Sequence, residues 1–225
     1  MYQILKVKRV NVGGFKLNSD RNFIPKDLVK FLYDDSYEKD ERYLVEKYLD
    51  KSDRVLEIGA GIGLVSLTCA RIVGTKNIVS YEPNPGTQDI IKQNFALNRL
   101  IPQLRARAVA PDSGKADFYF ADNIISSSLF NRDLGTKQTV ECDSLIEVLE
   151  ELRSNVIVMD VEGAEVDLLG RFELPFVNKI IVEVHPHVVG HEGIEAMAMN
   201  LKEQRFILQE EKGKCHVYLR ARGKT

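Results

Sequence analysis

At 225 residues, with 44% hydrophobic and 28% charged side chains, the chain is long enough for one well-buried α/β unit and short for two. Its net charge of −2 lacks the basic footprint that nucleic-acid binding draws on, so no nucleic-acid partner is expected. The three cysteines (Cys69, Cys142, Cys215) form no CxxC pair, which argues against a disulfide framework or zinc site and suits a reducing, cytoplasmic setting.

The N-terminal MYQILKVKRV alternates polar and apolar residues and lacks the apolar core of a signal peptide. No apolar run approaches the length of a membrane span. Residues 2–24 read as an extended hairpin about Gly13 and Gly14. Residues 25–49 carry apolar and aromatic side chains at helical spacing, giving two helical pieces with a loop around Asp34 to Tyr37. Residues 1–50 are expected to form a lead-in to the same unit as 51–225.

From Asp53 onward strands and helices alternate. Strand 54–58 leads to helix 63–73, which stops at Gly74. Strand 77–82 precedes the helix TQDIIKQNFALN, and strand 104–109 follows. KADFYFA reads as a hairpin arm, 122–135 as a loop, QTVECD as a short strand and SLIEVLEEL as a helix. The apolar strand 155–160 should lie centrally. VEGAEVDLLGRF turns into another helix, strand 179–184 follows, 190–204 forms the last helix, and two strands about Gly213 close the chain as an antiparallel hairpin. This order specifies an α/β fold: a doubly wound, mostly parallel seven-stranded sheet, Rossmann-like, with an antiparallel C-terminal hairpin. Such sheets bind ligands beyond the carboxyl ends of their strands. That rule selects Glu57 to Gly63, Glu82 to Asn84, Val109 to Pro111, Asp160 to Glu162 and Glu183 to His187.

The stretch VLEIGAGIGL is a strand, a glycine turn and the start of a helix, the layout of a site for a nucleotide-like cofactor. A dinucleotide fingerprint needs GxGxxG, but here the glycines run Gly59, Gly61, Gly63, and Leu64 occupies the third fingerprint position. Glu82 follows Gly59 at close to the ~20 residues expected of a ribose-binding acid. Glu57, inside the strand just before the turn, suits a cationic group such as a methionyl ammonium better than a pyrophosphate. A nicotinamide-dependent dehydrogenase and a non-catalytic binding module stay open as alternatives.

With SYEPN following, VLEIGAGIGL resembles a class I S-adenosylmethionine-dependent methyltransferase. YEKDE at 37–41, AVAPDSG after the third strand, ISSSLF in the long loop, and MDVEGAEVDLLGRF leading to IIVEVHP narrow the resemblance to the FkbM family, over Ser36 to Pro186. The family often has Asp at the place of Glu57 and Lys–Ile at the place of Val158–Met159. The resemblance implies S-adenosyl-L-methionine as cofactor and methylation of a hydroxyl on a sugar or natural-product-like small molecule; a nitrogen acceptor stays open.

Glu57, Gly59, Ala60, Gly61 and Gly63 are expected to hold the methionyl end, Glu82 with Pro83 and Asn84 the ribose, and Val109 and Ala110 the adenine. The resemblance adds Tyr37 and Glu38 as a covering segment and Ser127, within Ser126 to Ser128, as a lid. Asp160 ends an apolar strand, where its carboxylate is costly unless paired, and a sulfonium would keep it ionised. Asp160 and Glu162 are the expected site acids; Glu165 is expected to be structural. His185, with an ordinary pKa near neutral, is the candidate base. His185, His187 and Asp160 lack a third convincing ligand, so no metal is expected.

Overall fold

The structure is a computed structural model that describes residues 8–120 and 136–221. The chain begins with a hairpin, β1 (Arg9–Val12) and β2 (Phe15–Asn18), paired antiparallel about Gly13–Gly14. Helices α1 (Lys26–Tyr33) and α2 (Lys39–Tyr48) follow. Next come β3 (Val55–Ile58), α3 (Leu64–Val73), β4 (Ile78–Tyr81), α4 (Pro85–Asn98) and β5 (Gln103–Arg105). Three strands interrupt the alternation: β6 (Ala108–Ala110), β7 (Gly114–Phe120) and β8 (Thr136–Ser144). Alternation resumes with α5 (Leu145–Leu152), β9 (Val156–Met159), α6 (Glu165–Leu169), β10 (Lys179–Glu183) and α7 (Pro186–Glu203). The closing hairpin is β11 (Phe206–Lys212) and β12 (Cys215–Arg220).

The main sheet has seven strands in the order β11-β12-β10-β9-β3-β4-β5. β10, β9, β3, β4 and β5 are parallel, and β12 runs antiparallel to both neighbours. The order reverses between β3 and β9, because the chain winds outward through β4 and β5 before returning to β9. Their carboxyl ends therefore open a crevice at the switch point, where such folds place ligands.

Side chains alternate across these strands, so each face takes its own helices. Val55, Val158, Ile181 and Val217 pack with Leu44 of α2 and Val65 and Cys69 of α3. Leu56, Ile157, Met159 and Ile180 pack with Leu149 of α5, Leu168 of α6 and Leu201 of α7. Each fully buried aliphatic side chain contributes roughly 1.5–3 kcal/mol relative to exposure. A third cluster joins the N-terminal hairpin and α1 to α4 and the glycine turn through Leu17, Leu28, Phe95 and Ile62. Polar clamps complete that contact: Asn94 Oδ1 accepts from the Asn18 amide at 2.7 Å, while Asn94 Nδ2 donates to the Ile62 carbonyl at 2.8 Å.

Three boundaries differ from the sequence expectations. The strand expected over 104–109 is broken by a bend at residues 106–107. Only β5 stays in the main sheet. β6 leaves it to pair parallel with β8, and β8 pairs antiparallel with β7, making a separate three-stranded sheet. The short strand expected at QTVECD is the nine-residue β8, lengthened because β7 pairs along it. The last helix begins at Pro186 rather than residue 190; proline suits a first helical turn, and Gly190 (φ 76°) is a kink inside the helix. The 122–135 stretch, with Ser126, Ser127 and Ser128, lies outside the described residues. Among the described residues no helix is long and apolar enough to cross a membrane.

Candidate functional site

The glycine turn between β3 and α3 depends on left-handed backbone, with φ of 88° at Gly59, 55° at Gly61 and 84° at Gly63. A Cβ on Gly59 would stand 1.8 Å from the Asp160 carbonyl oxygen, so this position admits only glycine. The amides of Gly59 and Ala60 both donate to the Tyr81 carbonyl, at 3.0 and 3.1 Å. The turn is thereby fastened to β4 on one side, and the Asp160 amide fastens β9 to it through the Ile58 carbonyl at 3.0 Å.

Glu82 leaves the end of β4 and is buried. Its Oε2 accepts from the Gly61 amide at 3.0 Å and its Oε1 from the Asn84 amide at 2.9 Å. Burial pushes its pKa up to about 7 against these bonds. Asn84 accepts from the Gly86 amide at 2.9 Å and so starts α4, with Pro85 in its first turn. Gly59, Glu82, Pro83, Val109 and Asp160 line one cleft with Tyr81, Arg107 and Phe118. Ala110 does not line it; it packs with Ala108 and Cys142 in the second sheet, although Ala108 also reaches the cleft. Arg107 and Phe118 are not singled out by the sequence, because only the small second sheet brings β6 and β7 over the crevice; Tyr81, also not singled out, is the last residue of β4, next to Glu82. The alternating KADFYFA was the available signal for Phe118.

Glu57 shares the face of Val55, away from that cleft, and is 1% exposed. The Ser66 hydroxyl of α3 donates to its Oε2 at 2.5 Å. Its Oε1 is buried without a hydrogen-bond partner among the described residues. Burial raises this carboxyl to about 7, opposed by the Ser66 and Ser80 hydroxyls.

Tyr37 and Glu38 lie between α1 and α2, and Glu38 adopts a left-handed φ of 49°. Arg42 holds this bend by donating to the Tyr37 carbonyl at 3.2 Å and to the Asp35 carbonyl at 3.1 Å. The segment sits on the glycine turn: a Cβ on Gly61 would lie 3.0 Å from the Tyr37 hydroxyl and 3.1 Å from Glu38 Oε1. Burial, with the charges of Asp160 and Glu57, raises Glu38 to about 8, against the Tyr37 bond and Arg42. Its Oε2 is also buried without a hydrogen-bond partner. Glu41, on the next turn of α2, is buried near Glu38, Asp160 and Glu183, and these charges add to burial in raising its pKa. It was not foreseen, since in sequence it looks like one more acid on a polar helix.

The ends of β9 and β10 bring Asp160, Glu162, Glu183 and His185 together. His185 is 1% exposed, with Nε2 3.6 Å from Asp160 Oδ1, 3.7 Å from Glu162 Oε2 and 3.6 Å from Glu183 Oε1. Glu165 stitches the two strand ends: one oxygen accepts from the Gly163 amide and the other from the His185 amide, both at 2.7 Å. Glu162 adopts a left-handed φ of 48° that turns the chain back toward β9.

Burial opposes charge on His185, but Glu165, Glu183, Asp160 and Glu162 outweigh it and carry its pKa up to about 10. The near-neutral value expected from sequence gives way to an imidazole that keeps its proton at pH 7. Asp160 moves to about 8 through burial and the charge of Glu183, with His185 opposing.

A nucleoside carrying a positively charged tail fits these residues. The apolar cleft adjoins an acid held by backbone amides. Beside it, buried carboxylate oxygens of Glu38, Glu57 and Asp160 lack hydrogen bonds within the described chain, the environment a cation would complete.

Residues 57–210 match the family model described as the methyltransferase FkbM domain. Hexuronic acid methyltransferase AglP of Haloferax volcanii is 32% identical over 160 residues, covering 67% of this chain and 64% of that protein. Ribosomal protein L11 methyltransferase of Ruminiclostridium cellulolyticum is 27% identical over 88 residues, or 39% of this chain and 28% of that one. The chain thus spans less than two thirds of the length of these curated relatives. Among solved structures, M. jannaschii TYW2 in complex with AdoMet superposes with a TM-score of 0.48 at 14% identity, covering 97% of this chain and 86% of that chain.

Proposed function

The chain belongs to the methyltransferase FkbM family, and on that premise we propose that it methylates a hydroxyl oxygen of a saccharide or natural-product-like small molecule, using S-adenosyl-L-methionine. One observation carries the reading: carboxylate oxygens of Glu38, Glu57 and Asp160 without hydrogen-bond partners among the described residues lie about a glycine turn, which adjoins a cleft lined by Tyr81, Glu82, Val109 and Phe118. A dinucleotide would bring a pyrophosphate to that turn, where Glu57 and Glu38 repel it. When bound, S-adenosylmethionine supplies a methyl group activated by a sulfonium.

Glu82 accepts hydrogen bonds from both ribose hydroxyls, and the Gly61 and Asn84 amides hold it in place to do so. Val109 and Phe118 flank the base. Gly59, Ala60, Gly61 and Gly63 let the backbone approach the ligand, while Glu57 and Glu38 face its ammonium, and Tyr37 covers the turn. Asp160, between the cleft and the β10 corner, lies nearest the reacting centre.

An alcohol is a weak nucleophile until its proton leaves. Asp160, raised to about 8, is tuned to accept that proton near neutral pH. Glu162 stands beside it as a second acceptor. His185, already protonated, holds these acids in place rather than serving as the base. The rim must also orient the acceptor hydroxyl and keep water away.

The hexuronic acid methyltransferase supports a saccharide acceptor. A nitrogen acceptor on protein is the second reading, favoured by two shorter matches whose names specify protein substrates. A methyl-tritiated donor incubated with hexuronic acids, neutral saccharides, natural-product alcohols and peptides separates the two. Label in saccharide hydroxyls is the expected result, and label confined to peptides would replace it with the second reading. Calorimetry showing NAD binding without S-adenosylmethionine binding would overturn both.

A further inference from the structure

The β9–β10 corner carries more negative charge than the methyl donor accounts for. The cleft and the glycine turn gather over β3 and β4, whereas Glu183 and His185 lie beyond β9, on the far side of the switch point. There Asp160, Glu183 and His185 present ligand atoms that all lie within 4.8 Å of one another. His185 is the deepest of them. Its Nε2 points at the three carboxylates without reaching hydrogen-bond distance of any, the nearest being 3.6 Å away. Asp160 Oδ1, one of those three contacts, is itself buried without a hydrogen bond among the described residues. Lys214 Nζ, largely exposed, stands 3.9 Å from Glu183 Oε1.

We propose that Asp160, Glu183 and His185 bind a divalent metal ion, with Glu162 at its edge, the ion taking the place of the Nε2 proton that His185 carries in its absence. Two ligand atoms 3.6 Å apart, each roughly 2.1 Å from a common centre, subtend about 120° there, a normal metal angle. One imidazole with two carboxylates suits manganese or a similar divalent ion. The second sphere also fits. Glu165 Oε1 accepts the His185 backbone amide and lies 3.4 Å from Nδ1 without a hydrogen bond to it, which puts a carboxylate on the ring edge opposite Nε2. Glu41, buried and close to both Asp160 and Glu183, adds negative charge behind the ligands. The expectation of no metal set His185 and His187 beside Asp160; in the structure Glu183, two residues before His185 on β10, stands with His185 and Asp160 in place of His187.

The binding claim stands on these side chains alone; the ion's role rests on the methyl-transfer reading. There it would hold the acceptor oxygen at the rim and lower the pKa of its hydroxyl; with Asp160 engaged as a ligand, the proton would pass to Glu162 or water in place of Asp160.

The test titrates manganese(II) chloride into the full-length protein, with and without S-adenosylmethionine, and follows loss of the free-ion electron paramagnetic resonance signal. One ion per chain is expected. Glu183→Gln and Asp160→Asn should each weaken binding roughly tenfold or more. Calorimetric affinity for S-adenosylmethionine should persist in Glu183→Gln, and circular dichroism melting verifies its fold. Should Glu183→Gln fail to fold, Asp160→Asn decides alone. No bound ion under either condition, or binding unchanged in the folded variants, overturns the proposal. Loss of donor binding with retained manganese would instead sink the methyl-transfer reading and leave the metal site standing.

Discussion

The two halves of the carboxyl edge are built on different principles. Over β3 and β4, most polar groups are committed to each other: Glu82 takes two backbone amides and Tyr81 receives the amides of the glycine turn, while Glu57 keeps one oxygen without a partner among the described residues. Over β9 and β10, three acids face one imidazole nitrogen at 3.6 to 3.7 Å, with Glu165 3.4 Å from the other. The first half is preorganised by the chain alone. The second is left electrostatically incomplete, so ligands must finish it. Cofactor binding and acceptor handling are therefore separable by mutation.

The largest effect falls where the halves touch. Gly59→Ala drives a Cβ into the Asp160 carbonyl at a φ of 88°, and should cost roughly 3 kcal/mol or more, read by urea unfolding. A stable Gly59→Ala protein would mean that β3 and β9 are not fixed to one another as described. Next, Asp160→Asn should lower kcat roughly a hundredfold while donor affinity stays within about tenfold. Equal loss of both would erase the division between the halves.

The third test uses pH. Glu38, Glu57, Glu82 and Asp160 all have pKa values raised above ordinary carboxyls, to about 7 or 8. The folded protein thus binds more protons than the unfolded chain between about pH 4.5 and 8, and stability falls as pH rises through that window. His185, raised to about 10, contributes stability that is complete below about pH 6.5 and lost as pH passes 10. Melting temperature without ligand should therefore decline from pH 5 to 8, and saturating S-adenosylmethionine should flatten the decline. A rising curve would show that these acids are paired in solution. Smallest, Ser66→Ala removes the hydroxyl on Glu57 and should cost about 1 kcal/mol by thermal melting.

The chain order of strands and helices was legible because buried parallel strands such as VIVM are uninterrupted apolar runs and the glycines mark the turns. The S-adenosylmethionine family was legible in the spacing of VLEIGAGIGL, SYEPN and MDVEGAE. The second sheet was not. LRARAV reads as one strand, and only three-dimensional pairing with β8 shows the bend at 106–107. Glu41 was invisible as a site residue for a related reason: it looks solvated in sequence, and burial against elements distant in the chain makes its charge matter. Glu183 fell within a strand-end stretch that the sequence selects, but without a role. The altered protonation of His185 belongs to the same class, since four carboxylates from three segments surround it.

The bend at 106–107 has a further effect at the rim of the main sheet. It cuts β5 to three residues, leaving little free backbone for another strand to pair with. At the opposite rim, β11 slips register between Leu208 and Glu210, and Glu210 is tied to Lys47 and Tyr48 of α2, each at 2.6 Å. Ile207 and Leu208 are exposed there, but the bulge and the run Glu210–Glu211–Lys212 spoil the strand as a template. Both flanks of the sheet are thereby blunted against edge-to-edge aggregation, one by brevity and the other by distortion and charge.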